Sequence, residues 1–239
     1  MTEVAIKTFP SIYWRTMITL NCGVLIFWIA TFTLEYFYLT KNSLQLSLIR
    51  SFAISGEILI SLALFSSALF KWYPRLAVHW RIRRYLGVSG FILIFFHVAT
   101  VMGFIFKYDL HRAYYTFNPL VNPIIFGTIA YIILFVMTIT STDWMVKKLT
   151  PRVWKFIHRF VYIAYISSLF HFIVINPQAL NNFLGYILYL VTAITLFGQL
   201  FWFFKRAGQK RFRSIGSLVG IIIIAITFIL IYFQVISLR

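Results

Sequence analysis

The sequence predicts an all-α, polytopic transmembrane helix bundle of about seven spans. Three observations predict it. Of the 239 residues, 61% are hydrophobic and 11% charged, too little charge to coat a water-facing surface of this size. Seven apolar runs recur along the chain, each near the ~20 residues that a helix needs to cross a hydrocarbon core of ~30 Å. The Lys and Arg residues fall between those runs, mainly in alternate connections.

The runs lie near 16–38, 52–73, 85–106, 121–141, 156–176, 181–204 and 215–236. The first follows a mixed N-terminal stretch, so no cleavable leader is expected. Glu57 in the second run is placed within or near the inner part of the membrane, as a proton or cofactor contact or a helix–helix hydrogen bond. Asn118-Pro119 and Asn122-Pro123 mark the turn before the fourth run. Thr150-Pro151 reads as N-cap and first helical residue ahead of the fifth, and Asn176-Pro177 ends it. The seventh, from Ser214 through Ile236, reads as a lipid-facing anchor. The chain thus divides into a cytoplasmic N-terminus (1–14), one transmembrane domain (15–213) and an additional C-terminal helix (214–239).

The net charge of +17 reports topology and not nucleic acid. One set of connections holds Lys71, Arg75, Arg81, Arg83 and Arg84, then Lys147, Lys148, Arg152 and Lys155, then Lys205, Arg206, Lys210, Arg211 and Arg213. The opposite set holds Lys41, Arg50, Lys107 and Arg112. This asymmetry puts the N-terminus and the basic connections in the cytoplasm and Arg239 outside. Cys22 is the single cysteine, so neither an internal disulfide nor a CxxC pair exists.

Of the five histidines, His79 and His111 fall in predicted loops, and His97, His158 and His171 within spans, where an ionisable side chain is costly. The third and fifth spans both run outward. His97 lies about 18 Å from the cytoplasmic end of one at 1.5 Å per residue, and His171 at a similar depth in the other. Such a pair suits bis-histidine ligation of one heme. His158 lies roughly 20 Å nearer the cytoplasm than His171 and cannot share that iron. At its depth stands Arg83, which cannot ligate iron; it would hold a heme propionate or leave an inner site with one histidine ligand. Arg83 and His97, fourteen residues apart, share a helix face. His158 and His171, thirteen apart, are about 140° out of phase in a straight helix. Either the fifth helix is distorted, for instance by a π-bulge, or the two face different partners. No acidic or cysteine cluster accompanies them to complete a zinc site.

The stretches RIRRYLGVSGFILIFFHVATVMGF (81–104) and TSTDWMVKKLTPRVWKFIHRFVYIAYISSLFHF (140–172) resemble ferric-reductase-like transmembrane domains. The second pairs a basic loop and a Trp with a stretch resembling the family's LHxxxY motif and another His thirteen residues on. Within the family the chain resembles the heme-binding membrane subunits of periplasmic methionine-sulfoxide reductases, which also carry Arg where other members place the first histidine of the third span. The resemblance covers about residues 50–205. It implies axial ligation of a b-type heme by His97 and His171, and a role for His158 in an inner second heme or in quinone or flavin handling, with Arg83 in place of a ligand. It also implies a cytosolic flavin reductase or the quinone pool as electron donor, and a periplasmic reductase subunit as partner. The seventh span is extra to the family's usual six.

The chain is therefore expected to be an electron-transfer subunit of an oxidoreductase in a bacterial inner membrane. Phe95, Phe96, Phe170 and Phe172 would keep water from the ring. No glycine-rich phosphate loop or flavin domain is expected, so a self-sufficient NADPH oxidase is excluded. A ferric or metal reductase with a separate flavin donor is the alternative, and the basic connections suit an acidic reductase or FMN phosphate. A proton-coupled transporter using Glu57 and the histidines is a second alternative; the spans show few of the helix breaks and lining polar residues it would need. Loop 107–120, with Lys107, Tyr108, His111, Arg112, Tyr114 and Tyr115, is the expected docking surface for the partner.

Overall fold

A computed structural model describes residues 9–119, 121–175 and 181–207. The expected seventh span, Asn176-Pro177 and residues 1–8 of the N-terminal segment lie outside the described residues, and residues 9–14 of that segment already belong to the first helix. Within them the order is α1 (Phe9–Leu34), a π-helical turn (Glu35–Leu39), α2 (Leu44–Trp72), a 3₁₀ turn (Pro74–His79), α3 (Trp80–Phe104), α4 (Leu110–Ala113), α5 (Ile124–Thr140), α6 (Asp143–Lys148), α7 (Pro151–Arg159), α8 (Val161–Ile175) and α9 (Phe183–Ala207). No strand occurs among the described residues. Five helical stretches are long and apolar enough to cross a membrane: Ile18–Leu39, Leu44–Trp72, Trp80–Phe104, Pro151–Ile175 and Phe183–Lys205, with α5 a shorter apolar helix beside them. The chain is a multi-pass membrane protein.

The second span is the axis of the bundle. Two thirds of its most apolar stretch is buried, against a third or less in each other span, and α1, α3 and α9 pack directly on it. Lipid tails are as apolar as Leu, so helices associate here through close packing and interhelical hydrogen bonds. Gly56 and Gly90 supply the first: a Cβ on Gly90 would stand 2.9 Å from the Gly56 carbonyl, and one on Gly56 3.0 Å from the Gly90 carbonyl. Ser61 and Tyr165 supply the second, hydroxyl to hydroxyl at 2.7 Å between α2 and α8, while Gln199 Nε2 on α9 donates to the Leu64 carbonyl at 2.7 Å. Ile60, Leu64, Phe91, Leu134, Ala164 and Leu196 fill the space between. The outer faces carry exposed Ile26, Ile92, Phe135, Leu190 and Phe197, as lipid requires.

The ends follow their sequence signals, with three corrections. Thr150 accepts from Val153 N–H at 3.4 Å with Pro151 at the first helical position, and Asn122, 1% exposed, donates from Nδ2 to the Ala113 and Thr116 carbonyls to close the turn before α5. Arg50 is not in a loop: α2 begins at Leu44, capped by Ser43, and Arg50 Nε stands 3.1 Å from the carboxyl of Glu35, which is wholly buried. Glu57 is not near the inner end either; it is mid-span in α2 and 1% exposed. Finally, the inner basic connection is largely helical, with Arg75 in the 3₁₀ turn and Arg81, Arg83 and Arg84 opening α3.

The fifth span is broken, one of the two alternatives that its histidine spacing left open, but not by a π-bulge. Phe160 interrupts it between α7 and α8 with a tight N–H to Ile157 carbonyl bond of 3.1 Å. Such a 3₁₀ step turns the chain by about 120° instead of about 100°, a small part of the roughly 140° between His158 and His171 in a straight helix. The described π-helical stretch lies elsewhere, at Glu35–Leu39.

Candidate functional site

Two polar sites occupy the bundle, one at each pair of matched depths. In the outer one His97 on α3 and His171 on α8 bring their ring centres to 6.5 Å, with planes inclined by 72°. Each imidazole is fixed from behind. His97 Nδ1 is 2.9 Å from the Ile49 carbonyl of α2, and His171 Nδ1 is 3.0 Å from the Pro123 carbonyl at the start of α5. A carbonyl only accepts, so both contacts put the proton on Nδ1 and leave the Nε2 lone pair free. Among the described residues neither Nε2 has a hydrogen-bond partner.

The spacing is informative. With a metal–nitrogen bond of about 2 Å and a ring centre about 1.1 Å farther back, two imidazoles on opposite sides of one ion stand about 6.3 Å apart. The 6.5 Å between ring centres matches the spacing of two imidazoles that would hold one ion, and each already has the second hydrogen bond that orients a ligating imidazole. No group of three or more His, Cys, Asp or Glu side chains able to hold a metal occurs among the described residues. Further ligands to an ion held here would come from outside the described residues, as a macrocycle would supply them.

Gly127 makes this arrangement possible and was not singled out in the sequence. A Cβ there would stand 2.9 Å from His171 Nδ1 and 3.0 Å from Cε1. The imidazole lies directly on the backbone of α5. Around it Phe172 meets His171 edge-on at 6.4 Å, and Phe170 stacks on Phe126 at 5.4 Å. Phe96 stacks on Phe52 at 5.5 Å and Phe52 on Trp28 at 4.8 Å. Phe95 and Phe96 are nearly half exposed on the outer face, so they border lipid more than they seal the site.

The inner site is a cavity of about 360 Å³ lined by Arg83, Gly87, Met137, Ser141, Trp154 and His158 among others. The structure thus brings Arg83 and His158 to one place, as their depths require. The imidazole of His158 is held differently from the other two: Nδ1 is 3.0 Å from the Trp154 carbonyl, Nε2 is 3.2 Å from Ser141 Oγ, and the ring stacks on Trp154 at 3.8 Å. Trp154 Nε1 in turn donates to the Thr140 carbonyl at 3.2 Å. His158 and His171 therefore face opposite ends of one helix, α5. On the rim Arg84 reaches Asp143 Oδ1 at 2.6 Å, and the guanidinium's hydrogen bond and charge hold that exposed carboxyl below its usual range. His79 and His111 are exposed and join neither site.

In loop 107–120, Asp109 caps the short α4 and Tyr114 Oη bonds Thr128 Oγ1 at 2.8 Å. Tyr115 Oη donates to the Val121 carbonyl at 2.8 Å. Two of its expected docking tyrosines are thus tied to the loop's own scaffold.

A helical membrane bundle with a bare imidazole pair between its spans and a cationic cavity at one end defines a class, and the comparisons with known proteins give it a family. Residues 52–169 match the ferric reductase like transmembrane component, and this segment of the chain belongs to that family. The chain is also 28% identical over 141 residues to the protein-methionine-sulfoxide reductase heme-binding subunit MsrQ of Herminiimonas arsenicoxydans, covering 59% of this chain and 62% of that protein. It is 31% identical over 87 residues to the subunit of the same name from Enterobacter sp. (strain 638), covering 35% and 38%, and 32% identical over 94 residues to that of Brucella anthropi, covering 39% and 41%. The chain thus matches less than two thirds of the length of each of these relatives. No solved structure matches it.

Proposed function

We propose that this protein is a b-heme membrane subunit that carries single electrons across the bacterial inner membrane to an extracytoplasmic reductase that repairs oxidised methionine in proteins. The observation that carries the reading is the imidazole pair: ring centres 6.5 Å apart, both Nδ1 protons engaged by carbonyls. A heme bound there would supply one-electron chemistry. His97 and His171 would hold it through Nε2, the Ile49 and Pro123 carbonyls would keep each ring in its ligating tautomer, and Gly127 would leave His171 room. The relatives named as heme-binding subunits support the cofactor and the reductase partner.

The cationic inner cavity, on the side where Arg75, Arg81, Arg83, Arg84, Lys147 and Lys148 gather, faces the cytoplasm by the positive-inside rule. Arg83 suits a carboxylate or phosphate there. A cytosolic flavin reductase carrying FMN, or a membrane quinone, would deliver electrons at this cavity. A second heme would have to displace Ser141 from His158 Nε2, with no other ligand from Arg83. Loop 107–120, at the opposite end, would meet the reductase partner.

The test is an oxidised and a reduced absorption spectrum of the purified protein beside His97→Ala and His171→Ala. A low-spin b-type spectrum that both substitutions abolish or turn high-spin is expected. A colourless protein, expressed with heme supplied, would overturn the reading. Heme per chain then assigns the inner cavity: one leaves it to the donor, two places the second at His158.

A further inference from the structure

A second buried group lies inward of the imidazole pair, and ligation does not use it. Glu57 is 1% exposed in the middle of α2. Its Oε1 accepts from Ser168 Oγ at 2.9 Å, and its Oε2 is buried with no hydrogen-bond partner. Ser168 lies three residues before His171 on α8. On α3 the Ile94 side chain, three residues before His97, lies where a Cβ on Gly56, the neighbour of Glu57, would have to go, 2.9 Å away. Both helices therefore place the carboxyl three residues, about 4.5 Å along the axis, inward of the two histidines.

We propose that Glu57 is a proton-accepting site coupled to electron arrival between His97 and His171, a reading that rests on the electron-transfer function proposed above. The flavin or quinol donor supplies one electron to the imidazole-bounded site. One proton from water then bonds to Glu57 Oε2, turning the carboxylate into a carboxyl, and the same O–H bond breaks when the electron leaves. Charge at one site raises the affinity of the other for the opposite charge, because little solvent screens two groups this deep. By linkage the effect is reciprocal.

The surroundings single out Glu57. From α8 it meets Ser168 and Tyr165, and among the described residues no Lys, Arg or His interacts with its carboxyl. From α3 the crossing presents Gly90 and Ile94. The Tyr165 hydroxyl is already engaged by Ser61 at 2.7 Å and by Thr192 of α9 at 3.2 Å. An amide at position 57 would serve the Ser168 contact equally well. A carboxyl with one oxygen unpartnered is costly as pure structure, and it has the open valence that proton uptake needs.

The test titrates the midpoint potential of the heme-loaded protein spectroelectrochemically from about pH 5.5 to about pH 8.5, with infrared redox-difference spectra of the same samples. In the wild type the potential should fall as pH rises, approaching about 59 mV per pH unit for one proton per electron, and a carboxyl C=O band should grow on reduction. Glu57→Gln should keep the visible spectrum, flatten the slope and lose the band. A pH-independent wild-type potential would overturn the proposal, as would a slope that survives in Glu57→Gln, which would belong to the heme's own propionates. Should Glu57→Gln fail to assemble, Ser168→Ala removes the hydroxyl that donates to the carboxylate and must move the pH profile to higher pH; an unmoved profile also overturns the proposal. Absence of heme in the wild type would instead strike the function proposed above.

Discussion

The two histidine sites are built from the same side chain and hold it in opposite ways. In the outer site each imidazole spends one nitrogen on a carbonyl and keeps the other bare, 6.5 Å from its mate's ring centre. In the inner site His158 is engaged at both nitrogens and stacked on Trp154, beside the cavity that Arg83 lines. A histidine inside a membrane is thus not a ligand by its depth. The bonding of its second nitrogen decides, and that depends on which backbone the ring meets.

The sharpest way to break this contrast is Gly127→Ala. The added methyl meets the His171 ring at 2.9 Å, and overpacking of this kind costs about 1–3 kcal/mol, roughly a ten- to hundredfold loss in heme retention. Heme per chain and the low-spin spectrum should both fall while Cys22, exposed on α1, labels as in the wild type. Retention at the wild-type level would mean that the imidazole does not need its seat on α5.

The middle-sized effect belongs to the inner site. His158→Ala should leave the outer heme spectrum unchanged and slow reduction by a flavin or quinol donor about tenfold, the equivalent of about 1.4 kcal/mol in barrier. Rapid-mixing kinetics reads both at once. Loss of the outer spectrum would show that the sites are not separate; an unchanged rate would remove His158 from electron entry.

The smallest effect lies on the rim. Arg84 lowers the Asp143 carboxyl's pKa, so their pairing stabilises the protein above the ordinary carboxylate range and is lost as pH falls through the lowered value. The carboxylate is well exposed, and water and salt screen most of the gain. Melting curves of the wild type and Asp143→Asn should differ slightly at neutral pH in low salt and converge in acid. A gap that widens in acid would have the wrong sign for this pair.

Much of this arrangement was legible beforehand, and the limits are instructive. Thr150 and Pro151 cap α7 because capping is local chemistry. The break at Phe160 was foreshadowed by thirteen residues failing to fit a straight helix, though its kind was not. Gly127 looked like any membrane glycine, because its neighbour His171 is 44 residues away. Arg50 read as a loop charge since its partner, Glu35, lies in the helix before.

The sequence by itself determined the all-α membrane class, the spans within the described residues and the shared depths of Arg83 with His158 and of His97 with His171. Those follow from hydrophobic run length and a fixed rise per residue, which need no partner to operate. Only the tertiary structure decided which imidazole nitrogen is free, that Glu57 is buried mid-span against Ser168, and that His158 and His171 face one helix. Each of these depends on a carbonyl, a hydroxyl or a missing Cβ on a distant part of the chain, and no local periodicity encodes it.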